Sequence, residues 1–217
     1  MHPRRWLRAA LCLVVLAAGG CFGAVDRADF EQELRTRGSG LDNRLATSAL
    51  AAVRERLGVG DFQASVIVLT APDTTQFRLV LPNQPVQVSR FLTARPDLTA
   101  RTAAVRLRVR HADGSRTLDD YSFMLGALSA PEAVRVSAFD DLDAEGFAVS
   151  EVPGLARLEE LVDTAVARSG LTTGEVPVVV VSRFGAEIRM VANVVSQRTD
   201  MVAEFDRHGA FLGIRQV

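Results

Sequence analysis

Two continuous apolar runs, one in each half of the chain, constrain its fold more than any other feature of the sequence. Residues 66–69 read Val-Ile-Val-Leu, and residues 176–181 are all valine except for Pro177. Runs of this length, rich in β-branched residues, are typical of buried strands, because a strand with one solvent face alternates apolar and polar residues. We therefore predict buried strands at both positions, the second one covered on both of its faces.

Apolar residues at helical spacing precede each of these runs. Over 42–57 they form one face that ends at Gly58, and Asp42 can cap the start of the helix. Over 155–169 the same spacing recurs and is closed by Gly170. A shorter helix is predicted over 26–38. The two longer helices are predicted to pack on the strands that follow them.

Strict alternation of apolar with polar residues predicts further strands. Alternation occurs at 76–81, 105–110 and 187–194, and returning or closing strands are predicted at 117–125, 201–205 and 211–217. Pro82, Pro85 and Pro96 are unfavourable in a central strand, so 83–98 is predicted as an edge strand followed by an irregular loop.

This order of elements predicts an α+β fold in which helices pack on an antiparallel sheet, as two tandem helix-plus-four-strand units. The first unit is predicted at 29–138 and the second at 154–217, joined by an acidic linker at 139–153. The element order resembles that of tandem α+β modules such as the β-lactamase inhibitor proteins and PepSY-type modules. The likeness covers 42–217 and includes the Asp206–Gly209 turn, and it implies binding or inhibition of a protein.

The N-terminal segment has the three parts of an export signal. Arg4, Arg5 and Arg8 precede an apolar run at 9–18, which is too short to cross a bilayer as a helix. Gly19 and Gly20 then lead to Cys21. The segment resembles a bacterial lipoprotein signal with the lipobox at 18–21, although that family usually has leucine at the position of Ala18. We predict a signal peptide at 1–20, general secretory export with the twin-arginine route as the alternative, lipidation of Cys21, and a tether at 21–28.

Cysteine count and charge exclude several classes of protein. Cys12 is lost with the signal, so Cys21 is the only thiol of the mature chain and no internal disulfide can form. Removal of 1–20 deletes three arginines and no acid, which changes the formal charge from −1 to −4. Such a chain has no general attraction for nucleic acid. It also lacks a glycine-rich phosphate loop, so we expect neither nucleotide nor cofactor.

Three arginines alternate along one predicted strand. Arg106, Arg108 and Arg110 lie on one face, spaced about 7 Å apart. They predict either a strip that binds an anion or a partner protein, or an ordinary solvent face paired with Asp119 or Asp120 on the returning strand. The second interpretation is the simpler one, because antiparallel sheets commonly leave one face in water.

An acidic stretch matches part of a calcium-binding loop. Asp141, Asp143, Glu145 and Gly146 occupy positions 1, 3, 5 and 6 of the motif, but Val152 stands where its bidentate acid belongs. A solvated acidic linker explains the stretch better, so we predict no metal site.

The sequence offers no catalytic constellation. His111 and His208 each lie in a predicted turn, and no Gly-x-Ser-x-Gly motif occurs. An enzyme would need one of these imidazoles buried beside a carboxylate and a nucleophile. The sequence therefore predicts a non-catalytic lipoprotein, anchored on the extracytoplasmic face of the cell membrane, that binds another envelope protein. The alternative is a carrier that holds an apolar ligand between helix and sheet, lined by Phe62, Phe77, Phe123 and Phe205.

Overall fold

The structure is a computed structural model that describes residues 40–74, 81, 83–94, 101–111 and 115–217. The described residues form four α-helices and ten strands. The helices are α1 (Asn43–Leu57), α2 (Val86–Ala94), α3 (Leu142–Glu145) and α4 (Leu158–Ser169), with short 3-10 turns at Val149–Glu151 and Pro153–Arg157. The strands are β1 (Gln63–Thr70), β2 (Ala104–Arg110), β3 (Leu118–Met124), β4 (Ala127–Leu128), β5 (Glu132–Val134), β6 (Phe147–Ala148), β7 (Glu175–Phe184), β8 (Glu187–Val195), β9 (Asp200–Asp206) and β10 (Phe211–Gln216).

All ten strands belong to one antiparallel sheet with the order β10-β9-β8-β7-β1-β2-β3-β4, in which β5 also pairs with β3 and β6 with β1. The two halves meet where β1 pairs with β7, from Val66 opposite Ser182 to Thr70 opposite Val178. The predicted α+β class, with helices packed on an antiparallel sheet, is confirmed. The unit boundaries 29–138 and 154–217 stay a prediction, since the strands of both stretches lie in the same sheet.

Helix α1 begins and ends as its sequence predicts. The carboxylate of Asp42 accepts a hydrogen bond from the backbone N–H of Leu45 at 2.7 Å, and Gly58 terminates the helix in the left-handed conformation. Helix α4 likewise ends at left-handed Gly170. The helix predicted at 26–38 lies outside the described residues, as does 75–80 of the strand predicted at 76–81.

The strands have two different faces. One face carries Ile67, Leu69, Leu107, Val181 and Met190, which pack with buried residues of α1 and α4; we call it the apolar face. The opposite face carries Val66 and Val68 beside the arginines of β2, and we call it the arginine face. Because α1 and α4 cover the first face and α2 covers part of the second, the β1–β7 centre is buried on both sides, as the apolar runs predict.

Helix α2 overturns the prediction of an edge strand and loop over 83–98. Pro85 directly precedes the helix, where a missing N–H is harmless, and its carbonyl accepts a hydrogen bond from Ser89 at 3.1 Å. Val88 and Phe91, one helical turn apart, are both buried against the valines of the arginine face. A proline that argues against a central strand therefore marks the start of a helix here.

The acidic stretch 139–153 is part of the packed body. Asp141 caps α3, and β6 pairs with β1 through Ala148 opposite Gln63 and Phe147 opposite Ala64. Phe147 is fully buried in the core. The stretch is therefore packed against one end of the sheet and is not a free solvated segment, while its role as a linker between two units stays a prediction.

Candidate functional site: a charged cleft beside helix α2

The predicted arginine row does share one face of β2, but that face is not open to solvent. Arg106 and Arg108 are only 2% and 4% exposed. Part of the reason is α2, which lies across this face of the sheet. The expectation of a solvent face is therefore wrong at these two positions, while the role of the arginines in binding an anion or a partner stays a prediction.

Arg108 forms a buried bidentate pair with Asp120, one of the two acids predicted as its partner. Its Nε and Nη2 donate to the two carboxylate oxygens at 2.8 and 2.9 Å. The guanidinium also lies over the ring of Phe91, 5.2 Å from the ring centroid. Parallel hydrogen bonds and a cation–π contact fix the position of this side chain, so the pair forms a rigid wall beside α2.

The other two arginines have different partners. Arg106 donates from Nη1 to the hydroxyl of Thr70 at 3.2 Å, inside the sheet. Arg110 reaches outwards to the carboxylate of Asp143. The hydrogen bond and the positive charge of Arg110 hold the pKa of Asp143 below its ordinary value. The row therefore passes from a buried interior to an exposed rim along a single strand.

Arg90 of α2 joins the helix to the acidic stretch. Its Nη2 donates to Glu145 at 2.6 Å, and its Nη1 pairs with Asp140. Glu145 is itself buried. Because two carboxylates share one guanidinium, α2 is clamped to residues 140–145 by charge-assisted hydrogen bonds.

Between these groups lies a cleft of about 510 Å³, which we call the α2 cleft. It is bounded by α2, by β2, β3 and β5, and by the acidic stretch. Its charged lining residues are Arg90, Arg108, Asp120, Glu132, Arg135, Asp140 and Glu145. Three arginines and four acids line this opening, and five of the seven are paired with one another. Such a lining can accept a ligand that carries charged and hydrogen-bonding groups.

An exposed aromatic side chain stands beside this cleft. Phe139 is 97% exposed and immediately precedes Asp140 of the lining. Its turn is ordered by hydrogen bonds, since Arg116 donates to the carbonyls of Ser137 and Asp140 at 3.1 and 2.7 Å. A single exposed apolar residue is ordinary on a protein surface, so what distinguishes Phe139 is its place on a hydrogen-bonded turn next to the α2 cleft.

The acids of the partial calcium motif do not converge on a common point. Asp141 accepts from the backbone N–H of Ala144, Asp143 pairs with Arg110, and Glu145 pairs with Arg90. Across 40–74, 81, 83–94, 101–111 and 115–217, no group of three His, Cys, Asp or Glu is arranged to hold a metal ion. Each carboxylate instead has its own donor.

The two histidines of the mature chain lie far apart in the fold. His111 pairs through Nε2 with Asp119 at 2.7 Å at the start of the β2–β3 connection and is half-exposed. His208 is exposed in the β9–β10 turn, where its Nε2 accepts from Arg207. Neither is buried beside a carboxylate and a nucleophile, as the enzyme hypothesis requires, and the absence of catalysis stays a prediction.

The lining predicted for an apolar carrier belongs to the core. Phe62, Phe123 and Phe205 are all buried among the side chains of the apolar face, and Phe205 also makes an edge-to-face contact with Phe211. Phe77 lies outside the described residues. The space between helix and sheet at these three positions is therefore filled by the protein itself.

A second charged cluster occupies the arginine face in the other half of the sheet. Glu204 of β9 accepts from Arg189 of β8 at 2.8 Å and from Arg215 of β10. Glu187 also accepts from Arg189, and this hydrogen bond is the largest cause of the raised pKa of the Arg189 guanidinium. These side chains line shallow surface depressions and are partly exposed.

Comparison with known proteins gives one structural neighbour. No protein-family model and no curated protein matches the sequence. The fold is similar to a crystal structure from Clostridium difficile described as a "putative lipoprotein", with a TM-score of 0.45 and 8% identity over 79% of this chain and 91% of that one. Cys21 lies outside the described residues. Within them, no helix has the length and hydrophobicity to cross a bilayer.

Proposed function

We propose that this chain is a non-catalytic, lipid-anchored protein of the bacterial cell envelope that binds another protein through its α2 cleft. Cys21 carries the anchor, the tether follows it, and the folded body faces the extracytoplasmic space. The observation that carries the proposal is the α2 cleft itself: a wall of fixed ion pairs with exposed Phe139 at its side.

The anchor is supported by the chemistry of the N-terminal segment. A basic start, a short apolar run and two glycines lead directly to the one cysteine left in the mature chain. A single thiol cannot staple the fold, so its placement at the new N-terminus is best explained as an acyl acceptor. One diacylated cysteine with a further acyl chain is enough for stable attachment, because stable membrane binding needs two or more chains.

The cleft is supported as a protein contact by its composition and rigidity. Interfaces between proteins combine a buried aromatic or arginine anchor with a polar rim, and Phe139 and Arg135 supply these two parts. The clamp of Arg90 on Asp140 and Glu145 holds the cleft in shape before a partner arrives. A preformed cleft loses less conformational entropy on binding than a flexible loop does.

Affinity capture tests the cleft. The mature domain, 22–217, is immobilised and exposed to a detergent extract of bacterial envelope, in parallel with Phe139→Ala and with Leu212→Ala as the matched control. Leu212 is also an exposed apolar residue, but it lies in β10, outside the α2 cleft. We expect one protein to be retained by wild type and control and to bind Phe139→Ala about 30-fold more weakly, as at an interface hot spot. Equal retention by all three, or none, would contradict the proposal.

Membrane fractionation tests the anchor independently. The full-length chain should be recovered with membranes in a form that begins at Cys21 and carries acyl groups. Cys21→Ala should leave either a soluble protein or an uncleaved precursor. Unchanged fractionation and unchanged mass in Cys21→Ala would rule out lipidation at this residue.

A further inference from the structure

The β3–β4 hairpin has a turn that its residues do not favour. Leu125 has φ = +53° and Gly126 has φ = +76°, so two successive residues are left-handed. Tight hairpin turns of this kind favour Asn-Gly or Asp-Gly, because asparagine and aspartate tolerate the left-handed region. A leucine, whose side chain branches at Cγ, is strained in the left-handed conformation. The stability of the turn therefore does not explain why a leucine stands at this position.

Packing does not account for this leucine. Leu125 is 83% exposed, and Met124 before it is exposed as well. The turn from Met124 to Leu128 contains no charged or hydrogen-bonding side chain. The hairpin tip therefore presents two large apolar side chains to its surroundings, at a turn with a strained backbone.

The tip lies at the end of the sheet where the described chain begins. Thr70 of β1 is opposite Ala104 of β2, and Ala104 is opposite Met124 of β3, so these three residues mark one end of the sheet. Gly40 approaches Pro72, just beyond Thr70, so closely that a Cβ on Gly40 would lie 2.6 Å from the proline ring. From Gly40 the chain runs back through the predicted helix (26–38) and tether (21–28) to Cys21, a span of at most about 45 Å when the helix rises about 1.5 Å per residue.

We propose that the Met124–Leu125 tip of the hairpin contacts the lipid surface to which Cys21 anchors the protein. This inference rests on the proposed function. A tether of this length holds the tip near the bilayer at high effective concentration but does not orient the body. Insertion of Leu125 and Met124 at the boundary between headgroups and acyl chains supplies the second contact, since apolar side chains leave water there.

This orientation leaves the α2 cleft accessible. Arg110, Leu118 and Val134 lie at the opposite end of β2, β3 and β5 from the hairpin tip. The turn that carries Phe139 follows Val134 and is tied to Arg116 of the β2–β3 connection. A body that rests on the Met124–Leu125 tip therefore points Phe139 away from the membrane and towards a protein partner.

An environment-sensitive fluorophore on a single introduced cysteine tests the contact. The full-length chain is expressed with its signal, so that Cys21 is acylated and unreactive, and Leu125→Cys or Leu212→Cys is labelled. Leu212 is the control because it is an exposed leucine in β10, the edge strand on the opposite side of the sheet from the β3–β4 hairpin. In phosphatidylglycerol–phosphatidylethanolamine vesicles, we expect a blue-shifted emission and several-fold lower quenching by aqueous iodide at position 125 only. Identical spectra and quenching at the two positions would overturn the inference.

A second variant distinguishes the effect of the Leu125 side chain from the effect of a disrupted hairpin turn. A probe at Met124→Cys is compared with and without Leu125→Asn, which suits the left-handed backbone and should keep the turn. Loss of the blue shift in the double variant supports insertion of Leu125, and an unchanged shift contradicts it. Intact mass separates the two proposals: a protein without acyl groups overturns the anchor and this inference together, whereas an acylated protein with a water-exposed probe overturns this inference alone.

Discussion

The arginine face carries a cluster of arginine and carboxylate in each half of the sheet, and the two clusters differ in their surroundings. Arg108 and Asp120 in the first half have side chains that are each 5% exposed. Arg189 and Glu204 in the second half are 33% and 16% exposed, and Arg215 joins them from β10. Both clusters join neighbouring strands of the same sheet, so what distinguishes them is the cover over each.

The cover over the first cluster includes α2. Phe91 stacks on the guanidinium of Arg108, and the clamp of Arg90 keeps the helix in place. Burial of an ion pair in this way adds little net stability, but removal of either partner leaves the other one buried with an uncompensated charge. An open pair is screened by water and contributes about 1 kcal/mol or less. The comparison therefore indicates that burial of Arg108 and Asp120 serves the shape of the α2 cleft more than the stability of the fold.

The largest effect is expected for Asp120→Ala. Without the carboxylate, the Arg108 guanidinium stays buried with its charge uncompensated, and the free energy of unfolding should fall by about 3–5 kcal/mol. Urea denaturation of the mature domain measures this loss.

The control for this prediction replaces both partners. Arg108→Met with Asp120→Leu removes the two charges together, and its stability should be close to that of wild type or higher. If Asp120→Ala loses less than about 1 kcal/mol, the pair behaves like an exposed one and the contrast between the two clusters fails.

A smaller effect is expected for Glu204→Gln in the second cluster. Water can hydrate Arg189 and Arg215 once the charge of Glu204 is gone, so the loss should be about 1 kcal/mol or less. The same denaturation measurement at low and high salt checks the reason, because screening should reduce this difference further. A loss as large as that of Asp120→Ala would show that solvent exposure does not control how much these ion pairs contribute to the free energy of unfolding.

Alkaline pH tests a buried tyrosine whose pKa is raised by burial although the charge of Arg56 opposes the shift. Tyr121, adjacent to Asp120 but on the apolar face, has its pKa raised chiefly by burial and further by the charge of Asp119. Since the unfolded tyrosine ionises near pH 10 while the folded one stays neutral, stability should be full below pH 10 and fall above it. Tyr121→Phe should abolish this fall; the chain has one tyrosine and no lysine to complicate it.

The smallest effect is expected for Asp143→Asn. Asp143 is highly exposed although Arg110 lowers its pKa. A lowered pKa contributes stability above the unfolded pKa and loses it as pH falls through the folded one, so wild type and variant should converge in acid. Thermal unfolding at pH 7 and pH 3 measures this: the variant should have a slightly lower Tm than wild type at pH 7 and the same Tm at pH 3. A large difference at pH 7 would show that this exposed ion pair contributes as much to stability as the buried pair of Arg108 and Asp120.

Sequence patterns predicted the parts of this fold that depend on local periodicity. The spacing of apolar residues located α1 and α4, and strict alternation assigned Arg106, Arg108 and Arg110 to one face of β2. Alternation says which residues share a face and nothing about what covers it. Helix α2, which covers part of this face, was missed because Pro85 was interpreted only as a residue that is unfavourable in a central strand. The spacing of Val88 and Phe91 by one helical turn was the signal for a helix.

The same limit applies to the candidate site. Asp120 was predicted as a partner of the arginines because it lies on the returning strand of the predicted hairpin, where cross-strand neighbours follow from the sequence. Arg90, Asp140 and Glu145 come together through α2 and the packing of the acidic stretch, which no short-range pattern specifies. The sequence favoured an acidic linker over a calcium loop, and in the fold the three acids of the partial motif are held by two arginines and a backbone N–H.

Site-specific photo-crosslinking in intact bacteria tests the central claim most directly. A photoreactive phenylalanine analogue replaces Phe139 in the full-length protein, and the same analogue replaces Leu212 as the control. We expect a single protein adduct from position 139, visible as a discrete band of higher mass, and none from position 212. The absence of an adduct at position 139, or the same adduct from both positions, would contradict the assignment of the α2 cleft as a protein-binding site.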